Sequence, residues 1–249
     1  MKIQKSPKKA KRKLGELIRN SKNNPILLDT NIISFSGGGV LDLLRYKKLS
    51  DVEFKKLKEL RLYSSFIWSL VNSEERISTV PEVVKETKEL VKCLQNVYER
   101  RNMSYHYEVK DALMHAAYSK NAENPQALRV LSELKAVTSR LEKIVFALET
   151  RAEKYRGYNK NLDLIGGIVG QATYYAEKSG AIKKVSKADI DLVMDAFYET
   201  LFFSKTPLIL SEDKDINRII CSAFQDNYFP SEIKELLIKR IGMHRVDRT

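Results

Sequence analysis

Apolar and polar positions divide the chain into a few short apolar runs and several long helical stretches. Ile26-Leu27-Leu28 is the first run, set between Pro25 and Asp29-Thr30-Asn31. A continuous apolar run that short, closed by turn-forming residues, predicts a strand buried on both faces. Ile77-Ser78-Thr79-Val80 and Pro207-Leu208-Ile209-Leu210-Ser211 predict two more. Helical spacing follows each of them. Ser36-Gly37-Gly38-Gly39 reads as a loop, and Leu41, Leu44, Phe54, Leu57 and Leu60 then recur at helical intervals. Pro81 suits a first helical position, and Val84, Leu90, Val91, Leu94 and Val97 continue that helix. Ser186-Lys187-Ala188-Asp189 opens another, with Ile190, Val193, Met194, Phe197 and Leu201 on its apolar side. Glu212-Asp213-Lys214-Asp215 opens the next, and residues 231–241 predict one more. Strand followed by helix, repeated, predicts an α/β fold with a mainly parallel sheet flanked by helices.

Between residues 95 and 183 the pattern is helical throughout. Leu131, Leu134, Thr138, Leu141, Val145 and Leu148 follow a spacing of three and four residues, the seam of a helix that packs on a neighbour. The helix beginning at Pro81 is the expected partner, in an antiparallel hairpin. Eight of the twelve tyrosines fall between Tyr98 and Tyr175, near Arg100, Arg101, Lys110 and Arg156, a mixture that stacks bases in some proteins and packs as amphipathic surface in most.

Composition narrows the class. At 249 residues and 43% hydrophobic, the chain is too apolar for disorder and long enough for one or two domains. No run approaches the ~18 apolar residues of a membrane span, and the basic N-terminus lacks the apolar core of a secretory signal. Two cysteines, Cys93 and Cys221, make no disulfide framework, so a reducing, cytoplasmic compartment is the expectation. Formal net charge is +12, but residues 1–24 hold nine basic residues against one acid, and residues 239–249 hold four against one. The body between them is therefore nearly neutral. Residues 1–24 read as a basic, disordered tail, with Lys8, Lys9, Lys11, Arg12 and Lys13 as candidate contacts to a nucleic-acid backbone.

The acids carry the sharper signal. Asp29 directly follows the first predicted strand and Asp213 follows the third by three residues. Glu86 lies in the helix after the second strand, and Asp189 in the first turn of its own helix. Ligands bind at the carboxyl ends of strands in an open parallel sheet, so these four would meet on one rim. Clustered carboxylates raise one another's pKa unless a cation intervenes, and oxygen-only ligands favour Mg²⁺ or Mn²⁺. The matching chemistry is metal-assisted phosphodiester hydrolysis.

Leu28-Asp29-Thr30-Asn31, Val80-Pro81-Glu82-Val83-Val84-Lys85-Glu86, Ser186-Lys187-Ala188-Asp189-Ile190 and Leu210-Ser211-Glu212-Asp213-Lys214-Asp215 resemble, in this order, the successive signatures of PIN-domain nucleases. The resemblance implies a three-layer α/β/α sandwich and an Mg²⁺- or Mn²⁺-dependent endoribonuclease acting in RNA processing, decay or as a toxin. It implies metal-binding roles for Asp29, Glu86, Asp189 and Asp213, with Asp215 as an extra ligand and Asn31 and Ser211 as polar supports. Glu82 competes with Glu86, and Asp215 with Asp213. The separation of Glu86 from Asp189 exceeds that of compact PIN domains. Residues 95–183 are accordingly expected as a helical insertion within the same domain, between the sheet segments 25–94 and 184–249, open to a second copy or a protein partner.

Each acid also has an ordinary explanation. Asp29 suits a turn, Asp189 stands at capping-box spacing from Ser186, Asp213 and Asp215 suit a helix start, and Glu86 suits a solvated helix face. Asp213-x-Asp215-x-Asn217 opens like a calcium loop, but Arg218 and Phe224 replace the glycine and glutamate that loop requires. His106, His115 and His244 lack zinc-ligand spacing with either cysteine. The alternative functional class is a PIN-like domain that binds RNA, or scaffolds a ribonucleoprotein, without cutting it.

Overall fold

The computed structural model describes residues 7–34, 54–116, 125–155, 162–182, 185–211, 213–225, 231 and 242–245. Among them a small parallel sheet is embedded in a mostly helical chain. The strands are β1 (Ile26–Leu28), β2 (Ile77–Ser78), β3 (Leu208–Ser211) and β4 (Gly242–Arg245), in the spatial order β2-β1-β3-β4. Ile26 pairs with Ile77 on one side and Leu208 on the other, and Leu208 pairs with Gly242. Ile26, Leu27 and Leu28 are all buried, as a central parallel strand covered on both faces requires. The expected α/β class with a parallel sheet is therefore present.

Helices α1 (Pro7–Asn20), α2 (Thr30–Ser34) and α3 (Phe54–Ser73) belong to the first third of the chain. They are followed by α4 (Pro81–Ala116), α5 (Pro125–Tyr155), α6 (Leu162–Lys178), α7 (Lys187–Phe203) and α8 (Lys214–Gln225). The α5 seam is real: Leu134, Thr138, Leu141, Val145 and Leu148 are buried. It packs on α4, and still more broadly on α3. Lys88 bonds Glu149 and Gln95 bonds Glu142, so advancing along α4 means retreating along α5, and the pair is antiparallel. Helix α6 packs instead on α7 and α8.

Two observations bear on the expected segments. Pro7–Asn20 is helical because Leu14, Leu17 and Ile18 form an apolar stripe, and Leu14 and Ile18 are buried in the main core. The charge count masked that stripe. The boundary expected at 94/95 falls inside the unbroken helix α4, and residues of α5 and α6 share one hydrophobic cluster with the sheet. Arg151 of α5 makes the same point with polar atoms. Its guanidinium donates to the carbonyls of Val71 (2.8 Å), Glu74 (3.0 Å) and Ile77 (2.6 Å), closing the end of α3 and the start of β2. Strand β4 carries too few apolar residues to be read from sequence. The 231–241 helix, apart from Ser231, and the triple-glycine loop lie outside the described residues.

Candidate active site

The carboxyl ends of β1 and β3 place Asp29 and Ser211 side by side. The Asp29 amide donates to the Leu210 carbonyl at 3.1 Å, carrying the ladder one residue past β1. Its own carbonyl then accepts from Ile32 and Ile33, turning the chain into α2. The Asp29 side chain is buried and well supplied with donors. Oδ1 accepts from the Thr30 amide (2.6 Å), and Oδ2 from Asn31 Nδ2 (2.6 Å) and Ser211 Oγ (2.5 Å). Ser211 spends its whole bonding capacity here: its hydroxyl donates to Asp29 and accepts from the Asp213 amide (2.8 Å) and Asn31 Nδ2 (3.3 Å). Asn31 and Ser211, expected as polar supports, both donate to Asp29 Oδ2.

Thr30 ties the second acid to the first. While its amide holds Asp29, its hydroxyl donates to Glu86 Oε2 at 2.6 Å, across from α4. Sequence reasoning passed over Thr30; its position next to Asp29 at the start of α2 was the available signal. Asp189 is buried at the start of α7 within a complete capping box. Ser186 Oγ accepts from the Asp189 amide (3.1 Å), and Asp189 Oδ2 accepts from the Ser186 hydroxyl (2.9 Å) and amide (3.3 Å). Asp213 precedes α8 and caps it, with Oδ1 accepting from the Asp215 amide at 2.8 Å. The ordinary capping explanations of Asp189 and Asp213 thus hold, and both acids still face the site.

Electrostatics brings the four together. Burial drives the Asp29 carboxyl up to about 7; the Ser211 bond opposes it, Asp189 adds to it, Thr30 opposes, and Glu86 adds again. Burial likewise carries Asp189 up to about 6, with Ser186 opposing it and Asp213 and Glu86 adding. Asp29 therefore feels the charge of Asp189 and Glu86, and Asp189 that of Asp213 and Glu86, although these acids come from four separate segments. Their competitors are engaged elsewhere. Glu82 pairs with Lys187 (2.7 Å) and Lys85 (3.7 Å), and Asp215 pairs with Arg218 (2.9 Å). Lys187 bonding holds Glu82 below the usual carboxylate range.

The four carboxylates offer a hard divalent cation the right donor atoms and excess charge. Each nevertheless has at least one oxygen turned to a protein donor. Among the described residues, no three Asp, Glu, His or Cys side chains stand in a cation-ligating arrangement. The fit to Mg²⁺ or Mn²⁺ is thus one of chemistry and charge, and ligation requires side-chain rotation.

A further buried acid, Asp195, sits farther along α7. It has no hydrogen-bond donor among the described residues, and burial, reinforced by Glu199, pushes it up to about 8. Of the basic residues proposed for nucleic acid, Arg12 is exposed on α1 and pairs with Glu16 at 3.0 Å. The side chains of Lys8, Lys9, Lys11 and Lys13 lie outside the described residues. No helix among the described residues is long and apolar enough to cross a membrane. No protein-family model, curated protein or solved structure matches the chain.

Proposed function

We propose that this protein is a PIN-like, metal-dependent endoribonuclease, with its helices forming the outer layers of a three-layer sandwich around the parallel sheet. The observation that carries the reading is the bonding of Asp29 to Ser211, Asn31 and Thr30 at the carboxyl-end rim, with Thr30 reaching Glu86, while Asp189 and Glu86 raise the Asp29 carboxyl and Asp213 and Glu86 raise that of Asp189. Like charges gathered in a buried setting oppose folding, and a divalent cation relieves them. These four would hold Mg²⁺ or Mn²⁺. Asp215 is the extra ligand that the resemblance implies, once released from Arg218. The bound cation would supply a water of lowered pKa and neutralise charge on the phosphate.

The chain's own contribution is orientation. Ser211 and Asn31 fix Oδ2 of Asp29, Thr30 fixes Oδ1 and reaches Glu86, and Ser186 fixes Asp189. The proposed partner is RNA, held in part by the basic residues of α1. A second reading, a PIN-like domain that binds RNA without cutting, draws on the commitment of carboxylate oxygens to protein donors.

Cleavage of a labelled RNA pool in Mg²⁺ or Mn²⁺, unaltered chain beside Asp29→Asn, separates the two. Cleavage by the first and not the second is expected. Equal cleavage removes Asp29 from the site, and no cleavage by either in any divalent metal favours the binding domain.

A further inference from the structure

Two pairs of acids flank the site, and the same division occurs in both. Glu86 and Asp213 both act on the buried Asp189, and Glu86 bonds Thr30, whereas Glu82, one helical turn before Glu86, and Asp215, two residues after Asp213, each hold a cation. Lys187 Nζ lies 2.7 Å from Glu82 and bridges α7 to α4. Arg218 Nη1 lies 2.9 Å from Asp215 within α8. Both cations remain accessible, with 71% of the Lys187 side chain and 46% of the Arg218 side chain exposed. Lys187 stands two residues before Asp189, and Arg218 is little more than one turn beyond Asp213.

Exposed ion pairs of this kind contribute little to stability, so a phosphate displaces the carboxylate readily. The arginine fork matches phosphate oxygens in particular. On the Lys187 side there is also room for a backbone to lie. Glu82, Lys85, Lys88, Glu149 and Ala152 line a groove of about 280 Å³ between α4 and α5.

We infer that Lys187 and Arg218 bind phosphates of the substrate backbone next to the acid rim, with Glu82 and Asp215 holding these cations until the backbone displaces them. The inference rests on the nuclease reading only for the identity of the polyanion, a single-stranded RNA. The helical segment α5 then acts on substrate directly, by forming one wall of the groove that Glu82, the partner of Lys187, helps to line.

Binding of a short labelled oligouridylate, measured by fluorescence anisotropy across a range of NaCl concentrations, tests it in full-length protein carrying Asp29→Asn to suppress cleavage. Lys187→Ala and Arg218→Ala are each expected to lower the slope of log Kd against log [NaCl] by about 0.7, and the double variant by about 1.4. Lys143→Ala, on the exposed face of α5, sets the baseline. Glu82→Gln and Asp215→Asn remove the competing carboxylates and are expected to tighten binding about twofold or more at low salt. An unchanged slope in the double variant, an equal loss in Lys143→Ala, weaker binding in the two acid variants, or no binding by the parent overturns the inference. Failure of the nuclease reading is registered separately, as absence of metal-dependent cleavage while these slopes still change.

Discussion

The two rims of the sheet solve opposite problems. At the amino-end rim, Glu74, Arg76 and Arg151 are all answered by partners. Arg76 holds Glu74 at 2.6 Å and reaches Ser21, Asn24 accepts both the amide and hydroxyl of Thr206, and Arg151 satisfies three carbonyls. The Arg76 bond holds the Glu74 carboxylate below its usual range. At the carboxyl-end rim, acids face acids, and Asp29 and Asp189 are pushed the other way. Charged groups at the first rim are stabilised by their partners, whereas burial disfavours the ionised forms of Asp29 and Asp189 at the second. That expense makes sense only where the charge has a use, which is why the carboxyl-end rim is the candidate site.

The contrast breaks most sharply at Asp29. Asp29→Asn is expected to cut Mn²⁺-dependent RNA cleavage at least ~100-fold, the upper range for residues that merely support a metal ligand. Its folding stability in EDTA at pH 8 should be equal to or above that of the unaltered chain, because a carboxyl raised to about 7 opposes folding when ionised. A large loss of stability in urea denaturation would place Asp29 with the structural rim.

Arg151→Met is the mirror experiment. It leaves three carbonyls without their donor, at a cost of roughly 3 kcal/mol in urea unfolding, with the metal requirement of any surviving activity unaltered. A loss under about 1 kcal/mol would show that water replaces the guanidinium and that α5 is not integral to the sheet.

These two residues also show what the sequence discloses. β1 and β3 are legible because buried parallel strands need continuous apolar runs, and Ile26–Leu28 and Leu208–Leu210 supply them. Asp29, Ser211 and Asp213 are legible because they stand where those runs stop. Arg151 is not, since nothing in its helical surroundings signals carbonyls contributed by Val71, Glu74 and Ile77. The choice between Glu82 and Glu86 is hidden for the same reason. They share one face of α4, and what separates them is Lys187 on α7 and Thr30 on α2, partners more than fifty residues away in sequence. Helix α1 was obscured differently: a dense run of lysines outweighed a three-residue stripe, although Leu14 and Ile18 are as buried as the strands. Tertiary partners, rather than local propensity, decide each of these cases.

Asp195 sharpens the comparison within a single helix. It is buried like Asp29 but lacks that residue's donors among the described residues, and it stands at about 8 against an unperturbed 3.8. A carboxyl raised on folding binds more protons in the native state, so stability falls as pH climbs from about 4 through about 8. Asp195→Asn is expected to remove that slope, gaining stability at pH 9 and nothing at pH 4. Parallel pH–stability curves for the two proteins would mean that Asp195 meets a donor or water in solution.

The smallest effect expected belongs to Ser186, where a helix cap and a site acid are the same object. Ser186→Ala removes the acceptor for the Asp189 amide and the hydroxyl donor at 2.9 Å from its carboxylate. The cap contributes about 1 kcal/mol, which urea unfolding reads directly. The hydroxyl also favours the charged form of Asp189, opposing burial. Without it the carboxyl rises further above about 6, so Mn²⁺-dependent cleavage should fall more at pH 6 than at pH 8, moving the acid limb of the pH profile upward. A purely structural cap would depress both pH values alike. An unmoved acid limb would assign Ser186 to the helix alone and remove Asp189 from the titrating set.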